Sequence, residues 1–385
     1  MVETAQRRPR DYGDDGEPSV LPPATRRLSL TEPFPMRCGA VLPEVRIAYE
    51  CWGTLAPAAD NAVLLYTGLS PNAHAASSEA DPTPGWWEYM VGPGRPIDTE
   101  RYFVVCVNSL GSCFGSTGPA SINPASGRRY GLEFPELAVE DIAAVGRALV
   151  RRLGIERLAA VVGASLGGMS ALAHAVLFPS EVARLAALSA AARPQSWAIA
   201  VRSLQREVIR SDPAWNGGEY DERSRPREGM RLARKLGLIS YRSAEEWEQR
   251  FGRSRVAEPE ADPFGTEFQV ESYLDANARK FIDTFDPNAY LYLSRAMDRF
   301  DLAEHGGSVE AALARVQAAH SLVVGVETDV LFPLVQQRAL AEGLRRAGRA
   351  VRFEALDSVQ GHDAFLVDEE RFAPVVRAFF ADGTR

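Results

Sequence analysis

From about residue 40 onward, short apolar runs alternate with longer stretches of helical periodicity. Val45–Tyr49, Ala62–Thr67, Tyr102–Val107, Leu158–Gly163, Leu185–Ser189, Ser321–Val326 and Val351–Ala355 have the length and β-branched content of strands. Several of them, such as AVLLY, FVVCV and SLVVGV, are apolar on both faces, as the inner strands of a mostly parallel, helix-covered sheet must be. LAVEDIAAVGRALVRRLGI, LFPLVQQRALAEGLRRAG and DEERFAPVVRAFFADG carry helical spacing between or after these runs. The alternation predicts an α/β fold with a mostly parallel sheet flanked by helices.

The pattern breaks between residues 191 and 314. Charged and aromatic residues dominate there, with helical stretches such as SWAIAVRSLQREVIRSD and REGMRLARKLGL. This predicts a helical lid inserted into a core made of residues 29–190 and 315–385. Such an insertion sits over the C-terminal edge of the sheet, where open α/β sheets place their ligands. Residues 1–28 lack the apolar block of a signal peptide and carry acids that argue against a transit peptide, predicting a disordered tail.

Composition narrows the functional classes. The 385 residues are 46% hydrophobic and 24% charged, as expected of a chain that buries a core. A net charge of −8 argues against a nucleic-acid or anionic-membrane surface. No apolar run reaches the roughly 20 residues needed to span a bilayer. The four cysteines form no CxxC pair and show no metal-like spacing with histidine, so they are read as reduced thiols of a cytoplasmic protein, with no metal.

Chemistry concentrates at LAAVVGASLGGMSALAHAV, residues 158–176. Gly163-Ala164-Ser165-Leu166-Gly167 fits the G-x-S-x-G elbow, in which a serine projects from a tight turn between a strand and a helix. A phosphate-binding loop would need a lysine after the glycines, and this stretch has none. An elbow serine requires an acid and then a histidine, in that chain order, on loops after late strands. Asp329 lies just beyond the strand in SLVVGVETDVLFP, and His362 lies in the loop LDSVQGHDAFLVD. His305, Asp298 and Asp301 belong to the expected insertion, His320 opens a strand, and Asp357 is too near His362 to hold its ring. Ser165, Asp329 and His362 are therefore the expected catalytic triad. The oxyanion hole is expected from the backbone N–H groups of Leu166 and of Leu69, in LLYTGLSPNAHA. His74, in that same loop, is expected to be structural.

With these residues in place, a resemblance emerges. GWWEYMVGPGRPIDTERYFVVCVNSLGSCFGSTGPASINPASGRRYGLEFP, together with GASLGGM, ETDVLFP and GHDAFL in order, resembles the homoserine O-acetyltransferase family of α/β-hydrolases. TGLSPNAHAAS, VNSLGSC and SLQREVIRSDP are most similar to its L-serine O-succinyltransferase branch. Pro71-Asn72 and Leu166 replace the Gly-Asp pair and the Met usual in homoserine acetyltransferases.

The resemblance implies an acyl-CoA donor, an amino-acid acceptor, a ping-pong acyl-serine mechanism feeding cysteine biosynthesis, no bound cofactor, and a homodimer through the lid. It also implies that Arg234 and Tyr241 bind the substrate carboxylate and Asp363 its ammonium. A free succinyl carboxylate calls for a cation, and Arg202, Arg206 and Arg210 recur at i, i+4 and i+8 of one helix. Homoserine as acceptor, an acetyl donor and a plain serine esterase remain the alternatives at this stage.

Overall fold

The computed structural model describes residues 21–221, 223–258 and 262–381. The apolar runs become the strands of an eight-stranded sheet. These are β1 (Arg26–Leu30), β2 (Val45–Trp52), β3 (Ala62–Tyr66), β4 (Phe103–Val107), β5 (Ala160–Ala164), β6 (Arg184–Leu188), β7 (His320–Val326) and β8 (Ala350–Leu356). Their spatial order is β1-β2-β4-β3-β5-β6-β7-β8. β2 pairs antiparallel with β1 and β4, and every other pairing is parallel.

Strand alternation divides the core between the two faces of the sheet. Leu64 and Tyr66 point to one face, toward α1 (Val139–Arg152), α2 (Leu166–Leu177) and, further along, α9 (Leu334–Arg346). Val63 and Leu65 point to the other, which shares a cluster with Phe372, Val376 and Phe379 of α10 (Glu369–Ala381). Because both faces are covered, all five residues of β3 and of β5 are buried, and such strands are apolar throughout.

Between β6 and β7 the chain leaves the sheet and forms α3 (Ser196–Ser211), α4 (Arg227–Tyr241), α5 (Ala244–Phe251), α6 (Gln269–Ile282), α7 (Pro287–Arg299) and α8 (Val309–Ala314). Helices α3 and α7 pack together, as do α3 with α4 and α4 with α6. α8, which falls inside the expected insertion, instead packs against α9 beside the sheet.

Two expectations need correction at their edges. The first concerns the disordered tail through residue 28: its residues 1–20 lie outside those described, but Arg26–Leu28 belong to β1, paired with Ile47–Tyr49. The second is β5, expected to begin at Leu158; the ladder begins at Ala160, while Leu158 makes an isolated bridge to Val182.

Candidate active site

Ser165 stands at the junction of β5 and α2 with φ 56° and ψ −124°, a conformation a side chain adopts only when its surroundings impose it. Small neighbours make the turn possible. A Cβ on Gly163 would lie 2.1 Å from the Gly167 carbonyl oxygen, and one on Gly167 would lie 2.3 Å from that of Tyr66. Both obstacles are backbone, which cannot swing aside. The Ser165 N–H donates to Leu188 O at 3.0 Å, fastening the turn to β6.

Three loops at the C-terminal ends of β5, β7 and β8 converge. The Ser165 hydroxyl lies 2.9 Å from His362 Nε2, and His362 Nδ1 lies 2.8 Å from Asp329 Oδ2. Asp329 is fixed by its own turn, where Oδ1 accepts the N–H groups of Leu331 and Phe332 at 2.8 and 2.9 Å. His362 is packed among the rings of Phe332, Phe365 and Tyr241. Thr328 joins the acid and histidine loops, donating from Oγ1 to Ser358 O and accepting from Gly361 N–H.

Burial opposes the imidazolium of His362, but the charge and hydrogen bond of Asp329, with the charge of Asp363, outweigh it. Its pKa is thereby raised above the ordinary 6.5, although Arg202 pulls in the opposite direction. Leu166 opens α2, and Leu69 sits in the loop after β3; among the described residues neither N–H is taken by an internal acceptor.

A cavity of about 120 Å³ opens onto Ser165. Pockets for drug-sized ligands run roughly 300–1,000 Å³, so this one accommodates only small groups. Its wall combines Leu69 and Ser70 with groups from three of the covering helices: Arg202 and Gln205 of α3, Arg234 and Tyr241 of α4, and Tyr290 and Met297 of α7. Burial raises the Tyr241 and Tyr290 phenols, keeping them neutral donors. Arg234 lies over the rings of Phe281 and Tyr241, 4.5 and 5.7 Å from their centroids.

Two guanidinium nitrogens here, Arg202 Nη2 and Arg234 Nε, are buried with no hydrogen-bond partner among the described residues. Such groups are costly to leave unsatisfied, and an anionic ligand would satisfy them. Arg202 is anchored at the other end, with Nε 2.5 Å from Asp298 Oδ1. Asp363 also lines the cavity, with one carboxylate oxygen 3.2 Å from Arg242 Nε.

The three arginines of α3 separate. Arg202 faces the cavity, whereas Arg206 and Arg210 line an outer groove with Arg295. Arg206 shares Asp298 with Arg202 at 2.7 Å, and Arg210 lies over the Trp215 ring. His74 is held inside the fold by Glu50 and by Thr83 O, both at 2.8 Å, away from Ser165. His305 pairs with Glu140. Gln205, Tyr290, Thr328 and Arg242 escaped the sequence reading, and Asp298 was assigned to the insertion without a role. Only Gln205 carried a signal, three residues after Arg202 on one helix.

Comparisons with known proteins agree with this architecture. A sequence profile of the alpha/beta hydrolase fold matches residues 62–368. The serine O-succinyltransferase of Litchfieldella anticariensis is 60% identical over 364 residues, covering 94% of this chain and 99% of that protein. The serine O-succinyltransferase of Stenotrophomonas maltophilia is 58% identical over 362 residues, covering 93% and 98%. Among solved structures, homoserine O-acetyltransferase from Bacillus anthracis superposes with a TM-score of 0.85 at 28% identity, covering 92% of this chain and 97% of that one. Esterase E22 superposes equally well, with a TM-score of 0.85 at 29% identity and coverages of 92% and 99%. Fold, site architecture and sequence together place the chain in the α/β-hydrolase family, in the group it forms with these serine O-succinyltransferases.

Proposed function

We propose that the protein transfers a succinyl group from succinyl-CoA to the hydroxyl of L-serine, with Ser165 carrying the group between them. The observation that carries this reading is the charge complement of the cavity. Beyond the triad it presents two guanidinium groups, Arg202 and Arg234, and one carboxylate, Asp363. O-Succinyl-L-serine has two carboxylates and one ammonium. An acetyl donor would leave the buried Arg202 Nη2 without an acceptor, since Asp298 engages the guanidinium only through Nε.

In the first half-reaction His362 Nε2 takes the Ser165 proton as Oγ attacks the thioester carbon. The N–H groups of Leu69 and Leu166 receive the developing oxyanion, and Asp329 stabilises the imidazolium. The C–S bond breaks and His362 returns the proton to the departing CoA thiolate. In the second half the L-serine hydroxyl gives its proton to His362 and attacks the acyl-enzyme carbonyl. The ester bond to Ser165 breaks and the proton passes back to Oγ.

Arg234 and the Tyr241 phenol hold the acceptor carboxylate, Asp363 holds its ammonium, and Arg202 meets the succinyl carboxylate. The small cavity leaves the bulk of CoA outside, with α3 to α7 acting as a lid that keeps water from the acyl-enzyme. The product carries a better leaving group than serine, suited to sulfide replacement on the way to cysteine. The resemblance further supports a cytoplasmic homodimer assembled through the lid helices, which sedimentation of the purified protein would test.

The likeness to esterase E22 favours plain hydrolysis as a second reading. One assay separates the readings: thiol release from succinyl- and acetyl-CoA with L-serine, L-homoserine or no acceptor. Succinyl-CoA with L-serine should be the fastest pair. Equal release without an acceptor would establish a hydrolase instead.

A further inference from the structure

The two ends of the acceptor site lie on different parts of the fold. Arg234 and Tyr241 belong to α4, whereas Asp363 follows His362 on the loop after β8. Arg242, the first residue beyond α4, spans the gap with a side chain that is only 14% exposed. Its Nε lies 3.2 Å from Asp363 Oδ2, and its Nη1 donates to Gln360 Oε1 at 2.6 Å. The same Nη1 is 3.7 Å from Glu246 Oε1, so one cation serves two carboxylates, Asp363 and Glu246.

Backbone contacts reinforce the junction. Ser243 Oγ donates to Val359 O at 2.5 Å while accepting the Glu246 N–H that starts α5. Gly361, at φ +65°, is pressed so closely that a Cβ would meet Tyr241 O at 2.8 Å and Ser243 N at 2.9 Å. The turn after α4 and the histidine loop therefore form one seated unit.

We propose that Arg242 is a positioning residue for the acceptor half of the reaction. It fixes Asp363 by one oxygen, leaving Oδ1 to take the acceptor's ammonium, and it sets that carboxylate in register with Arg234 and Tyr241. This rests on the amino-acid acceptor reading given above. His362 itself has independent support from Asp329, the surrounding rings and the Thr328 bridge to Gly361. Acylation of Ser165 by the thioester therefore does not depend on Arg242, whereas transfer to an amino acid does.

The test compares wild type with Arg242→Met and Arg242→Lys in two measurements. One is CoA release in a single turnover with succinyl-CoA alone. The other is steady-state transfer to L-serine and to 3-hydroxypropionate, which keeps the hydroxyl and carboxylate of serine but lacks the ammonium. In Arg242→Met, kcat/KM for L-serine should fall on the order of 100-fold, the cost of a misplaced contact. The acylation burst and transfer to 3-hydroxypropionate should stay within about threefold of wild type. Arg242→Lys, which restores the charge but not the fork reaching both Asp363 and Gln360, should fall in between.

Equal losses for both acceptors, or a parallel loss of acylation, would mark a merely structural role and overturn the proposal, as would wild-type behaviour of Arg242→Met. If Arg242→Met fails to fold, the acceptor-selective loss must still be measurable in Arg242→Lys, and its absence there rejects the idea. Wild type that does not transfer to L-serine at all would instead reject the acceptor reading, and this proposal with it.

Discussion

Replacing Arg202 with Met removes one charge from the cavity while keeping the wall filled, because the unbranched side chain follows the path of the arginine stem. Two features of the structure make the effect calculable. Arg202 is 6% exposed, so solvent screens its charge little. Its partner Asp298 loses the hydrogen bond to Oδ1 but keeps the Arg206 cation at 2.7 Å, a cost that falls on both thioesters alike. The ratio between succinyl and acetyl donors then isolates the proposed contact with the succinyl carboxylate. Truncating one partner of a buried, hydrogen-bonded charge pair costs about 2–5 kcal/mol, and about 1.4 kcal/mol is tenfold in rate. The ratio of kcat/KM for succinyl-CoA to that for acetyl-CoA should therefore fall at least about 30-fold in Arg202→Met. Acetyl-CoA, having no free carboxylate, should be used nearly as well as by wild type. The assay is thiol release with each thioester at saturating L-serine. Proportional losses for both thioesters, or an unchanged ratio, would refute the reasoning.

Other consequences follow from the triad and the elbow. Asp329→Asn offers an NH2 group to His362 Nδ1 and favours the tautomer with a protonated Nε2, which cannot accept the Ser165 proton; kcat should drop about 10⁴-fold while the protein stays folded by circular dichroism. In the proposed mechanism His362 is a base only when neutral, and its pKa is raised, so the acid limb of kcat/KM for succinyl-CoA should lie above pH 6.5. Removing the Asp363 charge in Asp363→Asn should move that limb to lower pH, and an unmoved limb would contradict the assignment. Gly167→Ala sets a Cβ 2.3 Å from Tyr66 O and should lower stability by about 1–3 kcal/mol or more, read from the urea midpoint.

Much of this was legible in the sequence because periodicity and chain order report burial and topology. AVLLY and SLVVGV are apolar on both faces because both faces of the sheet are covered, and their pattern announced this. RRLSL did not announce β1: edge strands meet the core on one side only, and its charged residues resemble the tail before it. The convergence of Ser165, Asp329 and His362 was legible because the first two follow buried strands and the third follows the last strand, in the order an elbow demands.

The covering helices were harder to read. Spacing placed Arg202, Arg206 and Arg210 on one face, yet each step of four residues turns an α-helix by roughly 40°. Across eight residues that rotation carries the row from the catalytic cavity into the outer groove. The pairing of Asp298 with Arg202 and the role of Arg242 left no pattern, because each joins segments far apart in the chain through a single side chain.

The central claim is that Ser165 carries a succinyl group to an amino-acid hydroxyl, and the intact mass of the protein mixed with succinyl-CoA tests it most directly. Without an amino acid, wild type should gain the mass of one succinyl group on Ser165; adding L-serine should remove it and yield O-succinyl-L-serine. An adduct that persists in Ser165→Ala, one that L-serine does not discharge, or no adduct on Ser165 when the thioester turns over would contradict the account.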